Sequence, residues 1–462
     1  MSEFKLEARN SSDQIENKSK SRFMYFVAII AALGGILFGF DTGVISGALI
    51  FVNKTFNPSI ASQQLAVSMV VAGAFVGCLL SGKLSNTLGR KKLLIIVAYI
   101  FIIGTAICAL APTMDILIIG RFVLGLAVGV ASYTAPLFIA EISIPSKRGS
   151  MVLLNGFCIT GAQAIAVLLD WWLARYSYTI NWRIMMGLAI IPSILLLAGM
   201  IIAPNSPRWL IMVGRVEEAR RVLRKIRDFD KVEIEIQEIL KSLNQKKGTL
   251  SLLFSKRIRP VLIIGLILGI GQQFSGFNTV MYYGPEIFKQ VGFHGNSATI
   301  MATFGMAVIN FLITIVCMIF VDKLGRRKLL IIGMLLATIC QFLLGEIIKV
   351  GVDHFPGGAY TAFIVIMVFV VGYAGSLGTL FWLIISEIYP LEVRGIGMSF
   401  VAGIQWLANF IVSATFFNSN EYLWWRHVLV LWYRIVNYTY FHNYICSRNK
   451  RRFFRSDRTK FR

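Results

Sequence analysis

The sequence predicts an all-α, polytopic membrane protein built as two six-helix halves. Three observations carry that prediction: apolar runs of membrane-spanning length recur along the chain, basic residues alternate between connections, and two pairs of loop motifs repeat at similar offsets. Of 462 residues, 56% are hydrophobic and 15% charged, and the mean hydropathy is +0.70. A helix needs about 20 apolar residues to cross ~30 Å of hydrocarbon. Runs of that kind lie near 23–50, 64–82, 92–111, 116–140, 150–172, 184–203, 260–287, 298–320, 328–349, 359–387 and 395–417.

The first run is too long for a signal-peptide core, and no small-residue cleavage site follows it, so it reads as a retained helix. Residues 1–22 ahead of it are polar and are expected to form an unstructured cytoplasmic tail. The rest divides into a first half over 23–203, a connector over 204–259, a second half of five helices over 260–423, and an aberrant twelfth helix with a basic tail over 424–462.

Charge fixes the expected orientation. Lys83, Arg90, Lys91 and Lys92, then Lys147 and Arg148, the connector, Lys323 to Lys328, and Arg394 all follow even-numbered helices. Connections after odd-numbered helices carry only Lys54, then Arg175 and Arg183, then Lys289, then Lys349. Short cationic loops stay in the cytoplasm, which places the N-terminus there, in a multi-pass protein of the cell membrane. The formal charge of +23 therefore belongs to the loops, and no basic face with interleaved aromatics points to nucleic acid.

The connector, "PNSPRWLIMVGRVEEARRVLRKIRDFDKVEIEIQEILKSLNQKKG", spaces Val216, Ala219, Val222, Leu223 and Ile226 helically among charged residues. Short amphipathic helices under the bundle are expected. On either side of it the chain repeats: "NTLGRKKLLIIV" at 86–97 matches "DKLGRRKLLIIG" at 322–333, and "AEISIPSKRG" at 140–149 matches "SEIYPLEVRG" at 386–395. The offsets, 236 and 246 residues, describe parallel halves, whose interface near mid-membrane is where such architecture places a transported substrate.

Polar groups inside apolar helices need partners, because an unpaired one in hydrocarbon is costly. Gln163, Gln272, Gln273, Asn278, Asn310, Gln405 and Asn409 all interrupt apolar stretches. An amide both donates and accepts, which suits a ligand made of hydroxyls and equally suits helix-to-helix bonds. Phe38, Tyr282, Trp382 and Trp406 lie near them, and aromatic rings there can cover the apolar face of such a ligand. The stretch "ILFGFDTGVISGALIF" places a carboxylate, Asp41, deep in the first helix, where it needs a cavity or a cation. Arg121 in the fourth helix is the candidate partner. The cysteines fall mostly inside apolar runs as small core residues. No nucleophile, metal cluster or phosphate loop suggests an enzyme, and no cofactor is expected.

These motifs, with "PNSPRWL" at 204–210, "QQFSGFNTVMYYGPEIF" at 272–288 and the arginine and glycine pattern of 120–149, resemble the sugar porter family of the major facilitator superfamily over about residues 23–423. The resemblance implies the major facilitator fold and proton-coupled import of a monosaccharide by a monomer, through alternating access. It carries sugar contacts onto Phe38, Gln163, Gln272, Gln273, Asn278, Tyr282, Asn310, Trp382, Gln405 and Trp406, and proton coupling onto Asp41 with Arg121. A cytoplasmic gate is implied at Glu141, Arg148, Glu387, Arg394, Arg90, Asp322 and Arg326. A passive facilitator would share everything except coupling, and a transporter-like sensor would carry a signalling tail. Two positions depart from the family: Gly156 stands where many members have glutamine, and Asn86 where they have aspartate. The motifs do not separate hexose, pentose and inositol.

The resemblance stops near Leu423. Residues 424–462 hold nine net positive charges, and a twelfth helix there would bury Arg426, His427, Arg434, Asn437, His442 and Asn443. "CSRNKR" at 446–451 can be encoded so that a one-base shift reads Val-Pro-Glu-Thr-Lys-Gly, an ending typical of sugar porters. The same shift turns the preceding residues into an apolar helix, so a frameshift close to Leu423, in the gene or in its sequencing, is expected.

Overall fold

The computed structural model describes residues 2–144, 148–227, 229–244, 250–390 and 392–415. Among these, regular structure is helical throughout, and eleven helices are long and apolar enough to cross a membrane. They are α1 (Arg22–Phe56), α2 (Ile60–Leu88), α3 (Arg90–Ala109), α4 (Met114–Ile142), α5 (Met151–Leu173), α6 (Asn181–Ile202), α7 (Arg259–Tyr282), α8 (Asn296–Val321), α9 (Arg326–Val350), α10 (Ala359–Ile388) and α11 (Arg394–Thr415). The suspected twelfth helix and the frameshifted tail lie outside the described residues.

One expectation is corrected at the N-terminus. The helix that contains α1 begins at Ser2, so the backbone of the polar flank is helical rather than unstructured. Residues 2–22 contain no Gly or Pro, and extending an existing helix requires no new nucleus. The end of α7 also differs: it stops at Tyr282, and Pro285 opens a separate short helix, Gly284–Gln290, at the position where proline is tolerated.

Local chemistry marks the other boundaries. The Ser59 hydroxyl accepts from the amide of Ser62 (3.2 Å) ahead of α2, and Thr113 accepts from Ile116 (3.4 Å) at the start of α4. Gly89 and Gly325 turn the chain between α2 and α3 and between α8 and α9 with φ of 82° and 81° and ψ of 156° and 149°. The internal repeat therefore extends to the backbone, in a conformation that L side chains rarely adopt.

α1 and α5 pack along a ladder of glycines four apart. Gly35, Gly39, Gly43 and Gly47 face Asn155, the Ile159 carbonyl, Gln163 and Asp170 so closely that a Cβ at any of them would collide. Small residues at this spacing let helix backbones approach, which is how membrane helices gain packing without a hydrophobic drive between them. The second half breaks its regularity instead. α7 is interrupted at Ser275 and Gly276, with Gly276 left-handed at φ 78°, and α10 contains five residues of π-helix, Ala374–Gly378.

The halves meet through α1 with α7, α2 with α11, and α5 with α8. Trp171 donates its Nε1 to Ser297 Oγ (3.0 Å), and the rings of Phe157 and Phe311 lie 5.0 Å apart. On the basic-loop face the connector forms helices Pro207–Met212, Val216–Ile226, Phe229–Asn244 and Leu250–Leu253. Ala219, Leu223 and Ile226 are buried, as their spacing predicts. Arg227 ties this layer to the bundle, donating to the carbonyls of Ile142 (3.0 Å) and Ser143 (2.9 Å) and to Glu235 (2.7 Å).

Candidate substrate and proton site

The two irregular helices of the second half set up a cluster of amides. Gln272 and Gln273 precede the break in α7 and Asn278 follows it, so all three sit where the helix ladder is interrupted. Asn278 Nδ2 donates to Gln273 Oε1 (2.6 Å), and Gln405 Nε2 of α11 donates to Gln272 Oε1 (3.1 Å). Gln272 Nε2 in turn donates to the Leu377 carbonyl (3.0 Å), inside the π-helical turn of α10. Asn409 Nδ2 donates to the Tyr282 hydroxyl (3.3 Å).

The first half joins this layer through α5. Gln163 Nε2 donates to Thr42 Oγ1 on α1 (3.0 Å), and Gln163 Oε1 accepts from Asn310 Nδ2 on α8 (3.2 Å), so one amide bonds to both halves. Phe38 of α1 lies against Trp406 of α11, with ring centroids 5.3 Å apart. Every sequence-predicted sugar residue except Trp382 is tied into this arrangement. Trp382 is partly exposed, and its ring meets Phe381 (5.1 Å) instead.

Two atoms in the cluster stay unused. Gln405 Oε1 and Trp406 Nε1 are buried with no hydrogen-bond partner among the described residues, which leaves an acceptor and a donor on adjacent residues of α11. Such a pair matches a hydroxyl, which donates to one and accepts from the other. Open space surrounds Gly156, where a Cβ would touch nothing.

Arg121 and Asp41 form an ion pair, both almost fully buried, and Arg121 Nε also donates to the Ala66 carbonyl (3.0 Å). One oxygen of the pair, Asp41 Oδ2, has no partner among the described residues. Thr42, the next residue, is the one that Gln163 bonds.

On the basic-loop face the glutamates pair with the arginine of the preceding loop motif. Glu141 Oε1 accepts from Arg90 Nη2 (2.8 Å) and its Oε2 from Ser206 Oγ (2.5 Å). Glu387 Oε1 accepts from Arg326 Nη2 (3.1 Å). Arg394 Nε donates to the Tyr389 carbonyl (3.3 Å), and the side chains of Arg148 and Asp322 lie outside what is described. The backbone carbonyl of Asn86 accepts from Trp209 Nε1 (3.0 Å) of the connector. Both described pairs lie inside one half. No three His, Cys, Asp or Glu side chains converge as a metal site among the described residues.

Sequence reasoning missed Thr42 and, more consequentially, Asp170, a second fully buried carboxylate in a membrane helix. "AVLLDWWLA" carries the same signal as the stretch around Asp41: one acid in an apolar run.

Two packed helical halves, with a seam of mutually bonded amides between them and a buried ion pair beside it, define a multi-pass membrane transporter of the major facilitator fold. The chain belongs to the sugar transporter family, whose model, described as Sugar (and other) transporter, matches residues 27–445. It is 40% identical over 403 residues to the galactose-proton symporter of Escherichia coli K12, covering 87% of this chain and 86% of that one. Identity to the D-xylose transporter of Levilactobacillus brevis is 40% over 405 residues, 86% of each chain. Among solved structures, the partially occluded inward-open conformation of the xylose transporter XylE from E. coli superposes with a TM-score of 0.78 at 30% identity, covering 89% of this chain and 96% of that one. Members of this family are transporters and not enzymes.

Proposed function

We propose that the protein imports a monosaccharide together with protons by alternating access, as a monomer in a cell membrane with its N-terminus in the cytoplasm. The observation that carries this reading is the buried Asp41–Arg121 pair, one residue from the Thr42–Gln163–Asn310 bridge between the halves. A carboxylate in hydrocarbon is stable only while charge-compensated or neutral. A proton arriving at Asp41 Oδ2 cancels the charge that holds Arg121, which loosens α1 from α4. The same segment of α1 carries Thr42, so the change reaches the amide that spans both halves.

The sugar's hydroxyls take over bonds that the amides now make with each other. Gln163 and Asn310 turn from one another to the ligand, as do Gln273 with Asn278 and Gln272 with Gln405, while Gln405 Oε1 and Trp406 Nε1 gain their missing partners. The ring packs against Phe38 and Trp406. Arg90–Glu141 and Arg326–Glu387 stabilise the basic-loop face within each half, and the orientation rests on those basic loops. Similarity to galactose-proton and arabinose-proton symporters supports the coupling.

The test is uptake by reconstituted proteoliposomes. A panel of labelled hexoses, pentoses and inositol is offered with and without an inward proton gradient. At least one should accumulate above its external concentration only when the gradient is present. Accumulation of none, with downhill flux retained, would make the protein a facilitator.

A further inference from the structure

Asp170 is a fully buried membrane carboxylate that the proposed cycle leaves unused, and its surroundings differ from those of Asp41. It is fully buried near the end of α5 opposite the basic loops, and neither of its oxygens has a hydrogen-bond partner among the described residues. Its close neighbour is the Gly47 backbone of α1, which lies against the carboxyl without full hydrogen-bond geometry. The charged groups of α1, α4 and α6 on this side, and Arg175 beyond α5, are committed elsewhere or exposed, and Glu286 of the short helix after α7, which also packs on α1, is half-buried. Lys54 of α1 lies over the Phe51 ring (5.9 Å), Arg175 beyond α5 lies over Trp171 (4.7 Å), and Arg183 of α6 stacks on Trp182 (4.3 Å). Arg121 of α4 is paired with Asp41, and Asp115 in the first turn of α4 is exposed. The stretch of α8 that reaches Trp171, around Ser297, carries no charge.

Among the described residues a carboxylate in that position has no cation, and only the Gly47 backbone beside it, to replace its lost water, whereas the acid form needs neither. We infer that Asp170 is a second proton site of the transporter, holding a proton in the state where Asp41 is ionised against Arg121. The two lie on one seam: Asp170 faces Gly47, six residues or about 9 Å along α1 from Asp41, with Thr42 and Ser46 between them. Its access to water is tied to the closure of the halves. The adjacent Trp171 makes the bond to Ser297 of the other half, so parting the halves on this side breaks that bond beside Asp170. While the seam is open the carboxyl exchanges its proton with external water, and it holds a proton taken from that water when the seam closes over it. No covalent bond other than the carboxyl O–H changes.

This inference rests on the coupling reading for its role in transport, but the protonation itself is measured independently. Infrared difference spectra of the full-length protein should show the C=O stretch of a protonated carboxylic acid that persists in Asp41→Asn and disappears in Asp170→Asn. In proteoliposomes Asp170→Asn, similar in shape but unable to exchange a proton, should keep sugar counterflow within twofold of wild type and lose at least fivefold in proton-driven uptake. Absence of the band from wild type overturns the inference. So does a wild type that concentrates sugar on a proton gradient while Asp170→Asn does so equally, an outcome that leaves the coupling reading standing. A wild type that never concentrates sugar overturns the coupling reading and the transport role of Asp170 with it.

Discussion

Arg121 is held at two points inside the bundle, by the carboxylate of Asp41 on α1 and by the carbonyl of Ala66 on α2, so one guanidinium ties three helices together. Neutralising Asp41 removes the first point and leaves the second. Asp41→Asn should therefore abolish proton-driven accumulation while sugar counterflow persists. A variant that still concentrates sugar would place coupling elsewhere. Arg121→Leu is predicted to be worse, because it strands an unpaired carboxylate and should reduce the amount of folded protein as well.

The amide cluster predicts affinities. Gln163 has partners in both halves, and Gln273 and Asn278 bracket the break in α7. Gln163→Ala, Gln273→Ala or Asn278→Ala should each weaken sugar binding about tenfold, since removing one partner of a buried hydrogen bond costs ~1–3 kcal/mol. Titration calorimetry with the transported sugar reads this directly, and unchanged affinity in all three would move the site.

The two glutamate latches are not equivalent. Glu141 and Arg90 are 5% and 6% exposed and Glu141 also holds Ser206, whereas Glu387 and Arg326 are 46% and 34% exposed. Breaking a buried pair costs ~3–5 kcal/mol and an exposed one ~1 kcal/mol or less. Thermal melts in detergent should show a large drop for Glu141→Gln and a small one for Glu387→Gln.

Glycines of one sequence type should respond in opposite ways. Gly39→Ala drives a methyl into the Ile159 backbone of α5, and overpacking of this kind costs at least ~1–3 kcal/mol, so folded yield should fall. Gly156→Ala meets open space and should fold normally. Gly156→Gln adds an amide there and should change the ratio of hexose to pentose uptake.

The C-terminal segment predicts a nucleotide result. Codons after Leu423 should give, one base out of frame, an apolar helix followed by Val-Pro-Glu-Thr-Lys-Gly. Resequencing the gene checks this, and a coding sequence without that shifted peptide rules it out.

The sequence by itself determined which segments cross the membrane, because hydropathy, positive loops and helix length are properties of the chain read locally. It also revealed the halves, since the turns at Gly89 and Gly325 repeat in sequence before they repeat in φ. The residues of the candidate site were legible for a related reason: an amide or carboxylate inside an apolar run stands out wherever it falls. What each one touches was not legible. The resemblance groups Glu141 with six other gate residues without saying which of them it meets, and the described partner is Arg90, 51 residues away on α3. Gln163 finds Asn310 across 147 residues, and the ladder from Gly35 to Gly47 matters only because α5 lies against it. Helical periodicity assigns a side chain to a face but leaves open which helix covers that face. Packing alone decided that, among the described residues, Asp41 has a cation and Asp170 has none.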